Sequence, residues 1–404
     1  MFEYGEKSYK LLYPIVMGFC NTSAIIFLSL LQKQEFNHPF VTIAIIFLAE
    51  SLIFFFFLIS KQRTISQKTK NTITPLIHAN NNKLQILPGK HKIKLLFMIL
   101  PLSLFEYSST LCSTYLRGKN LSLFDLTNKV LLIVITTCLS MIILKYKYYK
   151  HHLVGIITLF IGVVIFTLLD YISIPVDNKD NNTIVTVLLF CFLTILYQVI
   201  TALQECFEKY LMESKFVHPH VIVSLEGFSG TFYVIISFLI LNHIDCKDTN
   251  VFCPNKNEKV ENFTYLIEDV SKNYIYLIGL LISFVFYNIC RSLTNYNFSP
   301  SHRAIADTIS FILTWICKFI VPSLKFNNSN LSVGYYILAI IAICIMIIAI
   351  CIYLEIIIVN VFGIGKNTQK KISIREIDEM ISKIEISNID EDDSIRESMR
   401  ESLV

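Results

Sequence analysis

The chain has 404 residues, 54% of them hydrophobic and 16% charged, with a formal net charge of +4. The apolar share exceeds the about 45–50% of an ordinary soluble domain, and the excess is gathered into long runs. The small basic surplus lies in loops beside those runs, which argues against a nucleic-acid-binding face.

Residues 1–10 are short, charged and polar, so the first apolar run is expected to be a retained signal anchor rather than a cleaved leader. A membrane-crossing helix needs about 20 mostly apolar residues. Only helices and closed barrels satisfy their backbone groups in hydrocarbon. Runs of that length lie at 11–31, 40–60, 95–116, 121–144, 152–171, 183–207, 219–241, 274–293, 302–322 and 333–358. The expected fold is an all-α polytopic membrane protein with ten transmembrane helices.

The link after the second run carries Lys61, Arg63, Lys68, Lys70, Lys83, Lys90, Lys92 and Lys94, and the link after the fourth carries Lys145, Lys147 and Lys150. Positive charge marks the cytosolic side, so both links and both termini are expected in the cytosol. The sequons at Asn181, Asn262 and Asn327 then fall on the lumenal side, where glycosylation is expected. Cys246 and Cys253 share the lumenal loop 243–273, where a disulfide and two free thiols are equally open readings.

Landmarks repeat along the chain. His38-Pro39 precedes the second run and His218-Pro219 opens the seventh. Glu50 lies in the second run and Glu226 in the seventh. Asp125 opens the fourth and Asp307 lies early in the ninth. One shift of about 180 residues aligns all three pairs. Five spans is an odd number, so the second half would insert the other way round, as in the inverted repeats of many secondary transporters. The expected domains are residues 1–172 and 173–362 as five-helix repeats. Residues 363–404 form a cytosolic tail, with periodic isoleucines that suggest a short amphipathic helix before a disordered acidic end.

An ordered set of residues resembles the drug/metabolite transporter superfamily, which is EamA-like. Within it the set resembles the solute carrier 35 (nucleotide-sugar-transporter-like) family, subfamily F, in the manner of its sixth member. The set comprises Asn21-Thr22, His38-Pro39-Phe40, Glu50, Gln198, Gln204, Glu208, Phe216-Val217-His218-Pro219, Glu226-Gly227, Asn288, Arg303, Asp307 and Trp315. The resemblance implies two inverted five-helix repeats and puts the fourth and ninth spans at a central cavity. Asp125 and Asn128-Lys129 stand where the subgroup tends to carry Gln and then Arg-Gly, and Ser310 stands where it carries a second arginine. These departures imply a diverged solute.

Ionisable groups inside spans cost at least about 2.5–3.5 kcal/mol each and point to function by default. Asp125 with Lys129, and Arg303 with Asp307, are four residues apart on one helix face. They are expected either to neutralise each other or to line the cavity. Glu50 and Glu226 could bind protons or accept helix-packing hydrogen bonds, and packing is the favoured reading. Asn21, Asn128, Gln198, Gln204 and Asn288 could bridge helices or contact a polar solute. Tyr107 and Trp315 are expected to pack. Arg117, Asp170, Arg291, Lys318 and Glu355 lie near run ends and are expected to reach the interface. His151-His152 is expected to be solvated.

The chain has no GxxxxGK[ST] loop and no HExxH, and no cofactor, metal site or enzymatic activity is expected. Gly227-Phe228-Ser229-Gly230 matches a four-residue pattern of intramembrane serine proteases, short enough to arise by chance. The expected function is secondary transport of a small polar or anionic solute, of the nucleotide-sugar or another metabolite class. It would take place by alternating access in an endomembrane such as the lysosome, vacuole or Golgi. The alternative is a non-transporting membrane scaffold or trafficking partner. The expected partners are the solute and membrane lipid, with a homodimer open.

Overall fold

The computed structural model describes residues 12–34, 36, 38–70, 89–118, 122–146, 148–173, 184–244, 263–320, 333–354 and 356–357. For helical residues 59–70, 89–96, 117–118, 122–130, 167, 170–173, 184–191, 263–265, 318–319 and 333 it describes the backbone alone. Among the described residues the chain is helical and holds no strand. The helices are α1 (Leu12–Lys33), α2 (Pro39–Lys70), α3 (Gly89–Gly118), α4 (Ser122–Ile143), α5 (Lys150–Ser173), α6 (Ile184–Ser214), α7 (Pro219–Leu241), α8 (Phe263–Asn297), α9 (Pro300–Ile320) and α10 (Val333–Tyr353).

Among the described residues, five stretches are long and apolar enough to cross a membrane: Leu12–Lys33, Pro39–Leu58, Pro219–Leu241, Leu266–Asn297 and Gly334–Tyr353. Large apolar side chains such as Phe55, Phe97, Phe160, Phe192 and Ile142 face outward along the helices. Such faces suit lipid, where an apolar surface needs no cover.

Proline sets several helix starts, because its fixed φ suits the first turn and its missing N–H loses nothing there. Pro39, Pro219 and Pro300 open α2, α7 and α9. His218 caps α7 with an extended backbone, and its Nδ1 accepts from the His220 N–H at 3.3 Å. Buried hydroxyls return hydrogen bonds to their own helix. Thr22 donates to Gly18 O at 2.9 Å and Thr110 to Glu106 O at 2.8 Å, which satisfies polar groups where water is absent.

Residues 1–146 with 163–339 form one compact unit. Within it α1 packs on α8 and α9, α2 on α7 and α8, α3 on α6 and α7, and α4 on α6 and α9. The α2–α7 crossing is the tightest. A Cβ built on Gly227 would lie 2.4 Å from Ser51 N and 2.6 Å from Glu50 Cβ, and one on Gly230 would lie 2.0 Å from the Phe47 ring. Only glycine allows that approach. Both outer residues of the Gly-Phe-Ser-Gly pattern are therefore engaged in helix packing.

Of the described residues, 148–162 with 340–354 and 356–357 form a second compact unit. Within it the His152 ring meets the Tyr353 ring edge-on at 4.8 Å, and His151 stacks on Tyr149. The expected solvated histidine pair is buried instead, because aromatic neighbours enclose it. Expected and observed boundaries also differ at α8. Its helix begins at Phe263, eleven residues before the apolar run, because a polar turn closed by the Lys272–Glu268 pair at 2.8 Å is helical without being apolar. The cysteine pair, the three sequons, Glu355 and the tail 363–404 lie outside the described residues.

Candidate functional site

Polar faces of α2, α3, α6, α7, α8 and α9 converge on one ion cluster in the larger unit. On α8, Tyr287, Asn288, Arg291 and Asn295 recur at helical spacing and so share a face. Arg291 turns inward from it. Its Nη1 lies 2.7 Å from Glu106 Oε1 and 3.4 Å from Glu50 Oε1, and its Nη2 lies 3.1 Å from Glu208 Oε1. One guanidinium thereby joins α2, α3, α6 and α8.

Arg303 of α9 supplies the second cation and is only 2% exposed. Its Nη1 donates to Glu208 Oε2 at 2.5 Å, and its Nε lies 3.3 Å from Glu205 Oε1. Glu208 is the hub, gripped by both arginines. It also accepts from Gln204 Nε2 at 3.2 Å and Asn295 Nδ2 at 3.1 Å. Arginine suits this role, since a planar fork can engage several carboxylate oxygens at once.

Asp307 belongs to a neighbouring polar group. It accepts from Tyr287 OH at 3.1 Å and Asn21 Nδ2 at 3.4 Å, while Asn21 also donates to Ser310 Oγ at 3.0 Å. These bonds tie α1, α8 and α9 together. Asn288 Oδ1 accepts from Arg291 at 3.4 Å.

Glu226 is different. It is 0% exposed, and among the described residues neither carboxyl oxygen has a hydrogen-bond partner. Its neighbour Gly227 lies against Glu50 across the α2–α7 crossing, which puts Glu226 beside the cluster. Gln198 is buried with Oε1 unpartnered. Among the described residues the buried acids are Glu50, Glu106, Glu205, Glu208, Glu226 and Asp307, of which Glu50, Glu106, Glu205 and Glu208 meet the guanidiniums of Arg291 and Arg303. Lys209, also buried, turns to Tyr296 O at 2.8 Å and to Glu213 at 3.3 Å.

The structure brings together Glu50, Gln204, Glu226, Asn288 and Arg303 from the expected candidates. It places Asn21 with Asp307 beside them, while the side chains of Asp125, Asn128 and Lys129 lie outside the described residues. One open alternative is closed and one expectation is corrected. Arg303 and Asp307 are not a self-contained pair, because each takes its partners from other helices. Arg291 does not reach the interface, because three carboxylates hold it inside. Glu106, Glu205 and Glu208 were not among the candidates. Glu106 sits in the middle of the run 95–116 and meets the same test as Glu50. Glu205 and Glu208 sit at the end of the run 183–207, where an outward reach costs little.

No protein-family model matches the chain, and no curated protein matches it. A solved structure described as "Crystal structure of protein" aligns over 85% of this chain and 97% of its own, with a TM-score of 0.46 and 10% identity. A likeness of that size carries no argument. The helices and their apolar faces define the class, an α-helical integral membrane protein with a buried ion cluster.

Proposed function

We propose that the chain is a secondary carrier, built of two inverted five-helix repeats of the drug/metabolite transporter kind. It moves a small polar or ionic solute across an internal membrane by alternating access.

One observation carries the reading. Let each helix exchange with the one five places on. The α1–α8 contact then becomes α6–α3, α1–α9 becomes α6–α4, and α3–α7 becomes α8–α2. The α2–α7 and α4–α9 contacts become themselves. Every product of the exchange is a packed pair in the larger unit. The larger contacts survive exchange of the halves, as two copies of one unit would give, while the smaller α6–α7, α6–α8 and α6–α9 contacts are not matched in extent. The exchange also supplies two equivalent sets of contacts that a carrier can open in turn.

The ion cluster supports the same reading. Its groups come from α2 and α3 on one side of the exchange and α6, α7, α8 and α9 on the other, where a solute would bridge the halves.

A flux screen with purified full-length protein in proteoliposomes tests the proposal. Nucleotide sugars, amino acids and short peptides are offered as labelled solutes. Saturable uptake of at least one is expected. Failure of every class, with the protein folded and monodisperse, would contradict it.

A further inference from the structure

We infer that the α2–α7 crossing receives a positively charged group of the solute, an ammonium or a similar cation, with the Glu226 carboxylate as its principal acceptor. This rests on the carrier reading and narrows its solute.

The argument begins with unmade hydrogen bonds. Buried polar groups are nearly always paired, and each exception calls for an explanation. Five carboxyl oxygens in the cluster have no partner among the described residues: both of Glu226 and Oε2 of Glu50, Glu106 and Glu205, against three unpartnered donors, Arg291 Nε, Arg303 Nε and Asn288 Nδ2. The oxygens are acceptors when ionised, so what they lack is a donor. An ammonium offers three donors and a positive charge.

Formal charge points the same way. Six acids against Arg291, Arg303 and Lys209 leave a formal surplus of negative charge among the described buried groups. An isolated buried charge is costly, and a cation reduces the surplus.

An anionic solute fits poorly. Arg291 already meets three carboxylates and Arg303 meets two. An anion would find only the Nε of each arginine without a hydrogen-bond partner, and would sit beside the acids that those guanidiniums already hold. A cation at Glu226 displaces nothing.

Geometry places the acceptors together. Gly227, next to Glu226, lies against Glu50 across the crossing. The absence of a side chain at Gly227 lets the two acid-bearing turns approach.

The test measures binding to purified full-length protein with two matched pairs of probes: methylammonium against acetate, and putrescine against succinate. Binding of at least one amine is expected, with neither anion bound. Glu226→Gln keeps the shape and removes the charge. It should weaken amine binding about tenfold or more, the loss of one charge-assisted contact. Thermal melting of the variant shows that it is folded. Amine binding unchanged in Glu226→Gln overturns the assignment, as does binding of acetate or succinate in place of the amines, or binding of none of the four.

The two proposals fail separately. If the flux screen finds a transported solute while no amine binds, the carrier stands and the cation assignment falls. If amines bind at Glu226 while no labelled amine crosses, the site stands and the carrier falls.

Discussion

Arg291 donates toward three carboxylates with a single guanidinium, which makes it the residue whose loss leaves most behind. Replacing it by Leu strands Glu50 and Glu106 in a dry interior, while Glu208 keeps Arg303. Breaking a buried pair from one side costs about 3–5 kcal/mol. Arg291→Leu is therefore expected to melt far below the native protein in detergent, and Arg291→Lys, a point charge without the fork, to fall between the two. A melt of Arg291→Leu within error of the native protein would show that the cluster contributes nothing to stability. Glu226→Gln is the contrast. It breaks no hydrogen bond seen among the described residues, so its melting should stay within about 1 kcal/mol of native, the size of one ordinary hydrogen bond. Legibility divides along the same line. Glu50, Glu226 and Arg303 were visible as ionisable residues inside apolar runs. Arg291 was not, because hydropathy averages around a helix and says nothing of which face turns inward. Its neighbours Tyr287, Asn288 and Asn295, all on one face, were the available signal.

At the scale of the helix, the α2–α7 crossing has the least room. The nearest atom to a new Cβ on Gly227 is a backbone nitrogen, at 2.4 Å, and backbone cannot swing aside. Gly227→Ala is expected to destabilise by about 1–3 kcal/mol, the usual cost of overpacking, and Gly227→Val to prevent a monodisperse product. Size-exclusion profiles and thermal melts check this, and a native profile for Gly227→Val would contradict the crossing. The start of α7 offers a pH test. Burial holds the His218 imidazole below its ordinary value of 6.5, which keeps Nδ1 free to accept from His220 N–H. A histidine depressed in the folded state contributes fully above its unfolded value of about 6.5. That contribution is lost as pH falls from this value towards the lower folded one. His218→Asn, which can still cap, should flatten the pH dependence of melting between about pH 7 and 5. An unchanged slope would remove His218 from the account. Apolar runs located each helix well, while polar helical turns such as Glu268-Asp269-Lys272 stayed hidden, since helix formation there needs no lipid.

For the whole molecule, the proposed exchange of the halves makes a prediction about topology. Three landmark pairs suggested a repeat in the sequence, but which helices would touch was not legible there. An offset in the chain carries no information on pairing until the helices are packed. An inverted repeat puts the link 61–94 and the loop 174–183 on opposite sides, so an engineered sequon should be glycosylated in the second and not the first. Modification within 61–94 would overturn the topology. A carboxylate that takes a cation on one side can take a proton on the other, so proton-driven exchange is expected. An imposed pH gradient should drive uptake without solute on the far side, and indifference to the gradient would leave a simple exchanger.

The central claim is alternating access by a carrier, and counterflow tests it most directly. Proteoliposomes are loaded with an excess of an unlabelled solute taken from the flux screen, and its labelled form is added outside. The account predicts a transient overshoot of label above equilibrium, driven by the outward gradient and abolished by Arg291→Leu or Arg303→Gln. A monotonic approach to equilibrium would indicate a channel. No entry above protein-free vesicles would contradict transport itself.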